Sequence, residues 1–147
     1  MAEEPLTSLA EELYNRAAKP LWSQLMLSLY EYKTCSTCRK AKKFLKDQGI
    51  EFQTFEIDKN PPSIQQISEM AKAVPGGVKK LFNTSGGVYR ELGLKDRLAD
   101  MPEYEMFELL SKNGMLIKRP FLQSGTKGTV GFKEPDWLNL LEALKLT

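Results

Sequence analysis

The sequence predicts an α/β domain with an extra N-terminal helix, and three observations predict it. A run of apolar and aromatic residues, Met26, Leu27, Leu29, Tyr30 and Tyr32, passes straight into a helical pattern that Gly49 closes. A second run rich in β-formers, Ile50 to Ile57, follows at once. Late in the chain, Gly125-Thr126-Lys127-Gly128 separates two more such runs ahead of a last helix. Alternation and β-branched or aromatic content mark strands, and a three-to-four-residue apolar period marks helices.

Composition bounds the reading. The chain has 147 residues, 41% hydrophobic and 27% charged, which suits one globular domain with a proper core. A net charge of +2 does not argue for nucleic-acid or membrane binding. No apolar run is long enough to span a bilayer. The start, Met1-Ala2-Glu3-Glu4-Pro5, lacks the apolar block of a signal peptide, so the expected location is cytoplasmic. Two cysteines in a chain of this size are not a disulfide framework.

The elements follow in order. Residues 1–25 form an N-terminal extension to the domain at 26–147. In the extension Leu6, Leu9, Ala10, Leu13 and Ala17 share a helical face, Ser8 and Glu11 fit a capping box, and Pro20 ends the helix or opens a shorter one. A helix docked on the domain is the favoured reading. A partner-binding peptide, or a segment foreign to the native protein with Met26 as its start, stands beside it. The first strand ends near Tyr32. The helix after it carries Cys38, Ala41 and Leu45 at i, i+3 and i+7, with Gly49 as its C-terminal cap. The second strand makes the unit a βαβ crossover with parallel strands. Asn60-Pro61-Pro62 is expected to open a helix with Ile64, Ile67, Met70, Ala71 and Val74 on its apolar face. Pro75-Gly76-Gly77 breaks that helix. Val78, Leu81 and Phe82 suggest a short helix ended by Ser85-Gly86-Gly87, and Tyr89, Leu92, Leu94 and Leu98 line further short turns. A helix from about Pro102 carries Met106, Phe107, Leu109 and Leu110 and ends at Gly114. Met115–Ile117 and Phe121–Gln123 flank Lys118-Arg119-Pro120, the hairpin follows, and Pro135-Asp136 open a last helix with Trp137, Leu140, Leu141 and Leu144. The order βαβ, helical insertion, β-hairpin, C-terminal helix is a thioredoxin-like plan.

Chemistry concentrates at Cys35-Ser36-Thr37-Cys38. Cys35 falls at the start of the helix and Cys38 one turn in. Unpaired amides and the macrodipole favour negative charge there. Arg39 and Lys40, with Lys42 and Lys43, add positive charge, and the attacking species of a thiol is the thiolate. A Cys three residues on can resolve an oxidised or modified Cys35 as a disulfide. The bland alternative is two small buried thiols. Zinc fits less well, because the chain has no His and only these two Cys, and a four-ligand site would need carboxylates or a second chain. No metal is expected.

From Met26 onward the chain resembles the arsenate reductase family of thioredoxin-like proteins, which includes the Spx-type regulators. The matching stretches are Cys35-Ser-Thr-Cys-Arg-Lys-Ala41, Tyr89-Arg-Glu-Leu-Gly93, Met115-Leu-Ile-Lys-Arg-Pro120 and Val130-Gly-Phe132. The resemblance implies that Cys35 is the nucleophile and that Arg119 helps bind an oxyanion, for which a planar guanidinium is suited. It implies a cis bond at Arg119-Pro120, facing the Cys loop. Asn83 and a position near Lys133 correspond to further Arg of the family's reductases. Cys38 is a feature of the Spx-type proteins, which use the pair as a redox switch and bind the RNA polymerase α-subunit.

Three functions are therefore expected to compete. The first is a thiol-dependent reductase or disulfide oxidoreductase acting on an oxyanion or a thiol/disulfide substrate. It would hold no bound cofactor, and glutathione, glutaredoxin or thioredoxin would serve as reductant. The second is a Spx-like redox-sensing regulator that binds RNA polymerase α-subunit, without direct nucleic-acid or membrane contact. The third is a thioredoxin-like protein whose Cys pair does not turn over.

Overall fold

The computed structural model describes residues 27–146. The expectations placed on residues 1–25, and on Met26, lie outside the described residues. The elements run β1 (Leu27–Glu31), α1 (Ser36–Asp47), β2 (Phe52–Glu56), α2 (Ile64–Ala73), α3 (Gly87–Glu91), α4 (Leu94–Arg97), α5 (Glu103–Lys112), β3 (Phe121–Ser124), β4 (Lys127–Val130) and α6 (Glu134–Ala143). Short 3₁₀ segments at Gly77–Leu81 and Leu98–Asp100 connect the helices of the middle, and a third, Gly114–Leu116, lies between α5 and β3.

The four strands form one mixed sheet in the order β2-β1-β3-β4. β1 pairs with β2 in parallel, Leu29 opposite Thr54, and with β3 antiparallel, Leu29 opposite Leu122. β3 and β4 form the hairpin. Only Gly125 in its two-residue turn has positive φ, +60°, the pattern of a type II′ turn. The order is the expected thioredoxin-like plan.

Side-chain alternation along β1 sends residues to two cores. Leu27 and Leu29, with Leu122 of β3, pack on Ala41 and Leu45 of α1 and on Trp137, Leu140 and Leu141 of α6. Tyr30 and Phe121 face the other way, into the larger core of Ile67, Met70, Leu81, Phe82, Leu94, Met106 and Leu110. The sheet is thus sandwiched between α1 and α6 on one face and the helical middle on the other.

Several boundaries differ from expectation. Pro61 and Pro62 lie before α2, not in its first turn. Ser63 is the N-cap, and its hydroxyl and the Gln66 side chain exchange bonds with each other's backbone N–H at 3.1 and 2.8 Å. The short helix of Val78 and Leu81 stops at Leu81, and Gly86-Gly87 begin α3 rather than end it. α5 ends at Lys112, capped by Asn113. Gly114 serves a different need: a Cβ there would collide with the carbonyl of Ile57. The α1 terminus is as expected. Gly49 at φ +72° donates to Lys46, and Ile50 donates to Leu45, both at 3.0 Å, a Schellman closure.

Candidate active site

β1 delivers the chain to the site. After Glu31 it turns through Tyr32-Lys33-Thr34, and the Cys35 N–H donates back to the Tyr32 carbonyl at 2.9 Å. Cys35 is extended, φ −84° and ψ 113°, and is the N-cap of α1. Its Sγ takes the role usually filled by a Ser or Asp oxygen, accepting the Cys38 N–H at 3.3 Å. An amide donor and the helix N-terminus both favour negative charge on that sulfur.

Cys38 is the opposite case. It is fully buried, whereas Cys35 is half-buried, and both are free thiols. Burial pushes the Cys38 thiol up to about 12, and its hydrogen bond with the Cys35 side chain and the charge of Cys35 add to the shift. A backbone hydrogen bond from Tyr32 and the Arg119 guanidinium oppose it. Cys38 is therefore the member of the pair that keeps its proton.

Arg119 comes from the far half of the chain, beside buried Pro120, and the Arg119-Pro120 bond is cis. The Pro120 carbonyl accepts the Gly131 N–H at 2.8 Å, and the Gly131 carbonyl accepts Trp137 Nε1–H at 2.9 Å, so the turn is tied to α6. One guanidinium nitrogen, Nη1, donates weakly to the carbonyls of Met115 and Ile117 at 3.4 and 3.5 Å. The guanidinium carbon lies 5.4 Å from the centroid of the Tyr32 ring. Nε is buried and has no hydrogen-bond partner among the described residues. A buried N–H left unpaired costs about 1–3 kcal/mol, which an anionic acceptor would relieve.

The structure thus brings Cys35, Cys38 and Arg119 to one place, with Pro120 beside them. The other basic residues point elsewhere. Arg39 donates to the Lys33 carbonyl at 3.5 Å. Lys42 pairs with Glu31 at 3.0 Å and Lys43 with Asp47 at 2.8 Å, so carboxylates neutralise part of the positive charge on α1. Lys40 is exposed and makes no hydrogen bond or ion pair among the described residues. Asn83 donates its N–H to the Leu116 carbonyl at 2.7 Å, and its side-chain oxygen accepts the Ser85 hydroxyl at 3.2 Å. Lys133 precedes α6 as its N-cap residue.

Sequence pattern places Tyr32 at the end of the first strand and marks it for nothing else. Its carbonyl holds the Cys35 N–H and its ring underlies Arg119. The available signal was an aromatic side chain at the exit of the strand, three residues before the first Cys.

The ArsC family pattern matches residues 30–140, from the last residues of β1 into α6. The chain belongs to the ArsC family. Within that family it is 48% identical over 110 residues to the uncharacterized protein YusI of Bacillus subtilis, covering 75% of this chain and 93% of YusI. It is 28% identical over 111 residues to the global transcriptional regulator Spx of Listeria monocytogenes, covering 76% of this chain and 83% of Spx. Among solved structures it is similar to an ArsC family related protein from Bacteroides fragilis, with a TM-score of 0.73 and 39% identity over 78% of this chain and 96% of that one. The ArsC-type site holds no group of three or more His, Cys, Asp or Glu able to bind a metal, and neither does any other place among the described residues. Among the described residues no helix is long and apolar enough to cross a membrane.

Proposed function

We propose that this ArsC-family chain is a thiol-dependent reductase whose electrons come from the Cys35–Cys38 pair. The observation that carries the reading is the unequal pair itself: a half-buried sulfur accepting the Cys38 N–H at the helix start, and a buried thiol one turn behind it.

With a disulfide substrate the steps balance as follows. The Cys35 thiolate attacks one substrate sulfur, the substrate S–S bond breaks, and the first substrate thiolate leaves and takes a proton from water. Cys35 is then neutral in a mixed disulfide. That removes its charge, and with it one cause of the high Cys38 value. Cys38 loses its proton, attacks the Cys35 sulfur and releases the second substrate thiolate. The pair has given two electrons and forms a disulfide. An external thiol reductant, glutathione, glutaredoxin or thioredoxin, returns two electrons and two protons. With an oxyanion substrate Arg119 is the anion-binding group, its unpaired Nε–H facing the same demand. Arg39 and Lys40 contribute field rather than contact.

The test is turnover with glutathione, glutaredoxin and thioredoxin in turn, against hydroxyethyl disulfide and arsenate. Cys35→Ser should abolish turnover, and Cys38→Ser should trap a mixed disulfide on Cys35. Turnover that survives Cys35→Ser, or none with any reductant, sinks the reductase reading.

A second reading is a Spx-like redox-sensing regulator that binds RNA polymerase α-subunit. The match to Spx over 111 residues favours it. Binding of the purified carboxy-terminal domain of the polymerase α-subunit to reduced and oxidised protein tests it, and no binding in either state removes it.

A further inference from the structure

Among the described residues β4 is an edge strand of the sheet, and a groove of about 670 Å³ runs along it between the end of α2 and α6. The volume lies within the roughly 300–1,000 Å³ of ordinary ligand clefts. Four lysines line it, Lys80, Lys118, Lys127 and Lys133, against one carboxylate, Asp136. None of the four makes an ion pair among the described residues. Val74 and Leu140 supply apolar walls.

The edge itself is unpaired in a regular way. Gly131 donates to Pro120, and Leu122 lies opposite Thr129 and Ser124 opposite Lys127. Hydrogen-bonded and non-bonded pairs alternate in an antiparallel ladder. Gly128 and Val130 therefore turn their N–H and C=O groups outward, along the groove, and neither makes another backbone bond among the described residues. Gly128 lies against Met70 of α2. A Cβ there would meet Met70 Cε at 2.6 Å and the Leu122 carbonyl at 2.7 Å, so the strand stays narrow under the helix.

We propose that this groove is a docking site for an acidic, extended peptide segment of a partner protein, which adds as a fifth strand beside β4. The outward groups of Gly128 and Val130 supply the backbone hydrogen bonds, and the lysines select carboxylates. Cys35, Cys38 and Arg119 do not line the groove, although Lys118 adjoins Arg119, and the proposal stands whether or not the reductase reading holds. The competing account is that lysines merely guard a bare edge against aggregation, which predicts no affinity for acidic strands.

The experiment is fluorescence anisotropy of the full chain with the labelled pentapeptide Glu-Val-Asp-Val-Glu. Three comparison probes are its Lys-Val-Lys-Val-Lys counterpart, a copy N-methylated at alternate residues, and a DNA oligonucleotide. The expected result is saturable binding of the acidic peptide alone. The Lys80→Glu/Lys127→Glu variant, checked for an unchanged far-ultraviolet spectrum, should weaken it about tenfold or more, in line with charge-pair losses at interfaces. Equal binding of the N-methylated copy would leave only a charge patch and overturn strand addition. Equal or better binding of DNA, absence of saturation, or a self-associated dimer through β4 in sedimentation would each overturn the proposed occupant.

Discussion

The Arg119 guanidinium rests over the Tyr32 ring, 5.4 Å from its centroid, while the Tyr32 carbonyl accepts the Cys35 N–H at 2.9 Å. A single residue therefore touches both the cation and the Cys35 loop. Stacking of this kind is worth about 0.5–2 kcal/mol, more when desolvated. Tyr32→Phe keeps the ring and should leave oxyanion binding within about twofold of wild type. Tyr32→Leu should weaken it by a few-fold to about thirtyfold, by the same energies. Calorimetric titration with sulfate and arsenate measures both, and equal losses in the two variants would show that the hydroxyl, not the ring, matters.

Arg119→Lys should weaken the same binding about tenfold or more with little change in Tm. The charge survives, but the planar fork, the Nη1 links to Met115 and Ile117 and the stacked face do not. A large fall in Tm with unaltered binding would make Arg119 a structural residue.

Alkylation should strike Cys35 first. Its sulfur is half-buried and accepts an amide, whereas Cys38 is buried with its thiol pushed up to about 12. Peptide mapping after a short iodoacetamide pulse near neutral pH reads the order. Mild peroxide should then yield an internal Cys35–Cys38 disulfide, seen as the loss of two hydrogens from the monomer mass. Covalent dimers or a lasting sulfenic acid as main products would deny Cys38 its resolving role.

Cys38 also fixes a pH dependence. A thiol raised in the folded state, from about 8.5 in the unfolded chain to about 12, keeps its proton only when folded. Its stabilising contribution is full below about 8.5 and is lost as pH rises toward 12. The slope is at most about 1.4 kcal/mol per pH unit. Denaturant melts across this window should fall more steeply for wild type than for Cys38→Ala. Parallel curves would mean that Cys38 ionises as easily folded as unfolded.

Gly114→Ala should destabilise by about 1–3 kcal/mol or more, since the new methyl meets backbone rather than a movable side chain. Chemical denaturation measures it. A neutral result would mean that the Ile57 segment can retreat.

Much of the site was legible because its signals are local. Period, spacing and the closing Gly49 place Cys35 and Cys38 at a helix start from sequence alone. The cis geometry at Pro120 and the approach of Arg119 came only through family resemblance, since they depend on pairing of β1 with β3. Tyr32 stayed hidden because a ring under a guanidinium leaves no sequence period. Ser63-Ile-Gln-Gln66 is a readable capping box, but the prolines ahead of it pull the expected boundary too early. Gly114 reads as a cap from sequence because only tertiary packing shows the Ile57 carbonyl above it.

The central pairing of β1 with β3 sets a timetable for the growing chain. Leu29 must wait for Leu122, about 90 residues later, and closing so long a loop delays folding. On the ribosome, both thiols emerge well before Arg119, whose charge acts on Cys38, and before the strand that pairs with β1. Until then Cys38 has no reason to be slower toward an alkylating reagent than Cys35. Thiol labelling of nascent chains of graded length would thus act as a clock, with the two rates separating when β3 docks.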